Sequence, residues 1–251
     1  MSEKKIILVT GATSGIGYET SYALAAASPN NHVLMGSRSL EKGQKALADL
    51  QSRNPAGTLA LIHLDVTDDS TIAAAVETIT TTHGVLDILI NNAGIALTTT
   101  STDARSSLLE TLNTNAVGAF VLSQSLAPLL KKSTDPRIIN VSAGLGSISE
   151  RSNPNSPSYA LPFEAYRISK AALNMATACM QASYAGFGAK VWAFCPGLVV
   201  TNLTGEADRG RREAMGGDSA AEAARGVLEI VQGERDGEVG MFVKRGGRWE
   251  W

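Results

Sequence analysis

Tyr166 and Lys170 stand four residues apart in the run Ala165-Tyr166-Arg167-Ile168-Ser169-Lys170-Ala171-Ala172-Leu173, which meets neither Gly nor Pro before Gly186. Such a composition is helix-forming, and a spacing of four places both side chains on one helical face. A phenol beside an ammonium is easier to ionise, because the positive charge stabilises phenolate. The pair can then exchange a proton with an alcohol or a carbonyl near neutral pH. An isolated Tyr-x-x-x-Lys is more often two surface side chains, so this one gains meaning only from its surroundings. Ser142 follows the β-branched run Ile138 to Val141, at the point where a strand delivers side chains to a crevice at the carboxyl edge of a sheet. Asn115 interrupts an otherwise apolar helical face and marks either a polar task or a bend.

The elements that must position these groups are readable in chain order. Lys5 to Val9 reads as a strand, Thr10 to Gly17 as a glycine turn, and Tyr18 to Ala27 as a helix. Strand, glycine turn and helix together suit a dinucleotide. Gly11 permits the tight turn, Gly15 lets backbone approach a pyrophosphate, and Gly17 lets the helix pack close to the strand. Thr13, Ser14 and Ile16 complete the turn, and the free N–H groups of the helix start face the phosphates. The second strand, His32 to Gly36, ends in Ser37-Arg38-Ser39, with Ser39 as the N-cap of a helix over Leu40 to Arg53. An acid at that tip would favour a free ribose 2′-OH; its absence, with Ser37 and the guanidinium of Arg38 in place, points to NADP rather than NAD.

Leu59 to Leu64 is the third predicted strand, and Asp65 and Val66 at its end either meet an adenine or start a turn. Leu86 to Ile90 is the fourth, followed by Asn91-Asn92-Ala93-Gly94, a sequence suited to backbone lying close to a ligand. A helical segment from Thr102 to Lys132 precedes the fifth strand, Ile138 to Val141. The Ser-, Pro- and Asn-rich stretch from Gly144 to Phe163 reads as a loop that leads into the Tyr166 helix. Lys190 to Phe194 is the sixth strand and ends in a turn, Cys195 to Thr201, at the same sheet edge. Asn202 to Asp218 is Gly-rich and charged and reads as mobile. Ser219 to Glu222 is a capping box for a last helix to about Gln232. Val239 to Val243 is the seventh strand, and a tail from Gly246 carries Trp249 and Trp251, which would dock on the body. The alternation predicts an α/β, doubly wound fold: one seven-stranded parallel sheet with helices on both faces, as a single domain over residues 1–251.

Composition narrows the function class. With 251 residues, 44% apolar and 18% charged, the chain can bury a sizeable core and is not a disordered one. A net charge of −2 argues against broad contact with nucleic acid. Cys179 and Cys195 lie in apolar stretches without metal-ligand spacing and read as reduced core residues, and no metal site is expected. No apolar run has the length of a membrane span, and the N-terminal residues lack a signal-peptide core, so a cytoplasmic location is the expectation.

In these motifs the chain resembles the short-chain dehydrogenase/reductase family over essentially its full length. Thr10 to Gly17 is similar to its Thr-Gly-x-x-x-Gly-x-Gly turn, Asn91 to Gly94 to its Asn-Asn-Ala-Gly element, and Tyr166 with Lys170 to its Tyr-x-x-x-Lys pair. Within the family, the run from Tyr166 to Met175 looks most like carbonyl-reductase and C-factor-type members. The resemblance implies a Rossmann fold and a catalytic set of Asn115, Ser142, Tyr166 and Lys170. Hydride would pass between the nicotinamide of NADP(H) and a ketone, aldehyde or alcohol carbon while Tyr166 carries the proton. Lys170 would lower the phenol pKa and hold the nicotinamide ribose, Ser142 would bond the substrate oxygen, and Asn115 would help hold a water that connects Lys170 to solvent. Asn92, Ala93 and Gly94, and the segment of Pro196, Gly197, Val199 and Thr201, would line the cofactor, the latter at its nicotinamide amide. Residues of about 145–163 and 203–217 would form the variable substrate walls. The gap from Ser142 to Tyr166 is longer than the family's usual one, which implies a monomer or homodimer rather than a tetramer. A cofactor-sensing scaffold protein without turnover is the alternative, although such proteins usually lose the Tyr or the Lys, and both are present.

Overall fold

Runs such as Ile6-Ile7-Leu8-Val9 have no polar face and need cover on both sides. The computed structural model, which describes residues 4–97 and 104–251, supplies it with one sheet between two helical layers. The chain lays down β1 (Lys5–Thr10), α1 (Gly15–Ala27), β2 (Asn31–Ser37), α2 (Leu40–Ser52) and β3 (Thr58–His63). It continues through α3 (Asp69–Thr82), β4 (Ile88–Asn91), α4 (Ala104–Leu112), α5 (Gly118–Leu130) and β5 (Arg137–Val141). The last part comprises α6 (Ile148–Ser152), α7 (Glu164–Tyr184), β6 (Lys190–Cys195), α8 (Arg209–Ala214), α9 (Ala220–Val231), β7 (Phe242–Lys244) and β8 (Gly247–Arg248).

Strand order is β3-β2-β1-β4-β5-β6-β7-β8. All pairings from β3 through β7 are parallel, as expected. The alternation of side chains sorts the core into two layers. Ile7, Val9, Val33, Ile139 and Phe194 pack against α1, α2 and α9. Ile6, Leu8, Leu34, Ile138 and Val191 pack against α3, α5 and α7. Because the chain crosses from β3 back past β1 to β4, a crevice opens at the carboxyl ends of β1 and β4. Every candidate site residue lies at this edge or on the helices that border it.

Five details depart from the sequence expectation, the first being α6 within the Gly144 to Phe163 stretch that reads as a loop. The tail adds an eighth, antiparallel strand, because Gly246 (φ +67°) supplies the left-handed residue needed to reverse the chain, so that Lys244 pairs with Gly247. The segment expected to be helical from Thr102 is described only from Ala104, its first two residues lying outside the described ones. It breaks into α4, a π-helical turn over Asn113–Val117, and α5. The charged stretch after Asn202 contains α8, held by Arg211 Nε to Asp208 Oδ1 at 2.5 Å and by Arg212 Nη1 to Val199 O at 2.9 Å. Cys195 is buried as expected, but Cys179 is exposed, since it follows Met175 by one turn on the solvent face of α7.

Candidate active site

The α7 helix starts after Phe163, whose left-handed backbone (φ 87°) turns the chain out of the preceding loop. One turn inward, Tyr166 is 9% exposed and Lys170 4%. The Lys170 Nζ lies 5.7 Å from the centroid of the Tyr166 ring. It donates to Val141 O, the last carbonyl of β5, at 2.8 Å. The helical spacing therefore does what was expected of it: it brings phenol and ammonium together at the carboxyl edge of the sheet.

The electrostatics run against the expected acidification. Burial pushes the Tyr166 phenol well above its ordinary value of 10.0, Cys195 adds to the rise, and Arg212 opposes it. Burial also pulls the Lys170 ammonium down from 10.5 to about 8, with Cys195 acting in the opposite sense. Low dielectric disfavours the charged form of each group, and here that outweighs their mutual attraction. In the protein alone the resting pair is a neutral phenol beside an ammonium that is protonated near pH 7.

Asn115 sits in the π-helical turn, where the extra residue pushes its side chain out of helical register. Its Oδ1 accepts from Ile95 N at 2.8 Å, and its Nδ2 donates to Ile95 O and to Ser169 Oγ, both at 2.9 Å. The side chain thus ties the segment after β4 to α7. Gly94 fits beneath it: a Cβ there would stand 3.2 Å from Asn115 Oδ1 and 3.6 Å from Lys170 Nζ.

Ser142 follows the last residue of β5 and faces α7. It is 2% exposed, and its Oγ donates to Asn174 Oδ1 on α7 at 2.6 Å. Strand alternation puts Ser142 on the same face as Asn140, which likewise bonds α7 through Thr177 Oγ1 at 2.9 Å. In this arrangement the hydroxyl hydrogen is turned to the helix layer. The next residue, Ala143, is half-buried and has no donor in its side chain.

The glycine turn is stitched to the end of β4. Thr10 Oγ1 accepts from Asn92 N and Ala93 N at 2.9 Å each, and Asn92 Nδ2 donates to Thr10 O at 2.9 Å. Gly11 has φ +64°, and a Cβ on it would lie 2.9 Å from Ala93 Cα. Gly17 packs tightest of the three: a Cβ would fall 2.4 Å from both Gly11 O and Asn92 Nδ2. Ser14 precedes α1 without forming a side-chain cap, which leaves the first N–H groups of the helix available. Thr13 and Ile16 flank it, half-buried. A glycine-rich turn in front of uncapped N–H groups fits a pyrophosphate. Gly17→Ala is expected to lower Tm and to raise the Kd for a dinucleotide by about tenfold or more, because overpacking against backbone costs about 1–3 kcal/mol. A fluorescence titration with reduced dinucleotide reads the effect, and an unchanged Kd would remove Gly17 from the cradle.

At the tip of β2, Ser37 is buried and its Oγ donates to Ser39 O at 2.7 Å, so it shapes the turn. Arg38 is exposed, and its carbonyl lies 3.3 Å from His63 Nε2. Its guanidinium has no carboxylate partner among the described residues. Asp65 takes the turn-forming alternative: Oδ1 accepts from Thr67 N at 2.9 Å and Thr67 Oγ1 at 2.7 Å. Val66 is buried beneath α5, where a Cβ on Gly118 would lie 2.4 Å from Val66 O. Beyond β6, Pro196 and Val199 are buried, Gly197 has φ +85°, and the Thr201 methyl faces Gly15 across the crevice mouth. Three residues near the pair carried no sequence signal of their own: Cys195, Arg212 and Asn174. Cys195 and Arg212 owe their places to tertiary packing, whereas Asn174 follows Lys170 by one turn of α7.

Comparison with known proteins agrees with this geometry. Residues 5–212 match the short chain dehydrogenase family. The chain is 35% identical over 260 residues to the short-chain dehydrogenase/reductase tropE of Talaromyces stipitatus, covering 98% of this chain and 97% of that one. Among solved structures it resembles the NADPH-bound carbonyl reductase from chicken fatty liver, with TM-score 0.84 and 30% identity, covering 99% of this chain and all of that one. The carbonyl reductase Sniffer of D. melanogaster superposes with TM-score 0.80 at 26% identity, again covering 99% of this chain and all of that one.

Proposed function

The chain belongs to the short-chain dehydrogenase/reductase family of oxidoreductases, and from that premise we propose that it is an NADPH-dependent carbonyl reductase acting on a small ketone or aldehyde. The observation that carries this reading is the buried Tyr166 ring with the Lys170 ammonium 5.7 Å from its centroid, held at the carboxyl edge of the sheet by Val141 O. The dinucleotide, when bound, supplies the hydride. Gly11, Gly15, Gly17 and the start of α1 hold its pyrophosphate, and Asn92, Ala93 and Gly94 with Pro196, Gly197, Val199 and Thr201 border its nicotinamide end. Tyr166 donates its phenolic proton to the substrate oxygen as the carbonyl carbon is reduced, giving an alcohol. The raised phenol pKa keeps that proton in place until the oxygen becomes basic enough to take it. Lys170, fixed by Val141 O, binds the nicotinamide ribose and returns a proton to Tyr166. Asn115 keeps the segment after β4 and α7 in register around them. We assign Ser142 a structural role, since its hydrogen goes to Asn174.

Preference for NADPH is supported by the unpaired guanidinium of Arg38 at an acid-free β2 tip and by the NADPH-bound relative. The test is the ratio of kcat/KM for NADPH over NADH on one active carbonyl, found with a ketone and aldehyde panel. Arg38→Ala is expected to lower that ratio by about tenfold or more, as for loss of a charge-assisted hydrogen bond, with the NADH value little changed. Equal effects on both cofactors would defeat the NADP assignment. Binding of NADPH without oxidation of it by any carbonyl would defeat the enzyme assignment in favour of a cofactor sensor.

A further inference from the structure

The turn after β5 is gripped from two sides. On one side Gly146 meets α7 so closely that a Cβ on it would stand 2.7 Å from both the carbonyl carbon and the Cβ of Lys170. Gly146 O also accepts from Asn174 Nδ2 at 3.2 Å. On the other side lies the segment 247–251. Trp249 N donates to Phe242 O at 2.8 Å, and its indole rests on the bare Cα of Gly144, where a Cβ would lie 3.0 Å from ring carbons Cε2 and Cζ2. Lys244 Nζ covers that ring at 3.7 Å from its centroid. Ser147 Oγ donates to Glu250 O at 2.7 Å, and Ser149 N to Trp251 O at 3.0 Å. Trp251 in turn stacks on Phe242, centroids 5.6 Å apart.

The strap reaches the reacting groups through few intermediates. Gly144 N donates to Cys195 Sγ at 3.0 Å, and the Trp249 ring packs with Cys195 and Phe242. Cys195 is the last residue of β6 and lies close enough to both Tyr166 and Lys170 to influence them electrostatically. Trp249 Nε1, meanwhile, is buried without an acceptor. An orphaned indole N–H is a feature that stability alone disfavours, so the ring is held here for its contact with Gly144.

We propose that Trp249 is a positioning residue for the Tyr166–Lys170 pair: it presses the 144–149 turn onto α7 at Lys170 and fixes that wall of the crevice. The proposal rests on the carbonyl-reductase reading for its kinetic test. The titratable groups facing Lys170 are Tyr166 on its own helix and Cys195 on β6, so a loosened turn changes chiefly how much water reaches the ammonium. Trp249→Ala is expected to lower kcat about tenfold, with the Kd for NADPH within about twofold. Its rate should fall off at higher pH than in the wild type, as a better hydrated Lys170 keeps its proton longer. Trp249→Phe, which keeps an aromatic ring of shorter reach and drops the N–H, is expected to restore part of the rate.

Hydrogen–deuterium exchange reads the strap without turnover. Amides of 143–149 are expected to exchange about tenfold faster in Trp249→Ala, with β1 and α1 unaffected. A wild-type protein that binds NADPH and reduces nothing would overturn the proposed function and leave this exchange result to decide the strap. Unchanged exchange in 143–149, or a Trp249→Ala enzyme with wild-type kcat and pH profile, overturns the strap itself.

Discussion

Tyr166→Phe is expected to lower kcat for carbonyl reduction by about a thousandfold, the range over which a positioned general acid acts. The ring stays, so the packing of α7 against the 144–149 turn stays with it. The substitution removes one oxygen from a buried ring and leaves its apolar packing in place, so Tm should hold or rise slightly. Dinucleotide affinity should remain within about twofold, because the interaction removed belongs to the transition state rather than to cofactor binding. The pattern to look for is kcat lost with Kd and Tm retained, measured by NADPH oxidation, fluorescence titration and thermal melting. A variant keeping more than a tenth of the wild-type rate would show that another group delivers the proton. Among the described residues, Ser142 donates to Asn174 and Ser147 to Glu250 O.

The parts of this site that could be read in the sequence are those fixed by local geometry. A helical spacing of four suffices to bring Tyr166 and Lys170 together, and a β-branched run ending in Gly11, Gly15 and Gly17 suffices for the turn. Ser39 caps α2 and Ser219 caps α9 as their local patterns require, accepting from Lys42 N and Glu222 N. The losses occur where a third partner decides. Ser142 ends a strand whose two faces look equally apolar in sequence, and only the position of Asn174 on α7 shows which way its hydroxyl turns. Asn115 was recognisable as an interruption, but a π-helical turn differs from an α-helical one by a single residue and has no compositional mark. Burial reverses the expected acidity of Tyr166, and burial of a side chain is set by the 144–149 turn and the strap behind it, far apart in the chain. Cys179 lies in an apolar run, yet faces solvent because α7 is covered on one side only.

Lys170→Met is expected to abolish turnover and stabilise the fold at once. The Lys170 ammonium is buried, Val141 O is its hydrogen-bond acceptor among the described residues, and its pKa is held at about 8 against an ordinary 10.5. That difference corresponds to roughly 3 kcal/mol spent on keeping the charge inside at neutral pH. Methionine fills a similar volume without a charge. Against this stands the Val141 carbonyl, which loses its donor at a cost of about 1 kcal/mol. A net gain of about 2 kcal/mol remains, or roughly 4–8 °C in Tm for a chain of this size. The pH dependence separates this from a generic packing effect. A basic group with a lowered folded pKa binds fewer protons in the native than in the unfolded state between about 8 and 10.5. Wild-type stability should therefore rise with pH across that window, while the variant lacks this rise. Catalysis has the opposite slope, since loss of the ammonium proton above about pH 8 removes the group that recharges Tyr166, so kcat/KM for reduction should decline as stability climbs. If Lys170→Met melts below the wild type, or if wild-type activity persists undiminished to pH 10, the buried ammonium is not the strained, functional group that this geometry makes it.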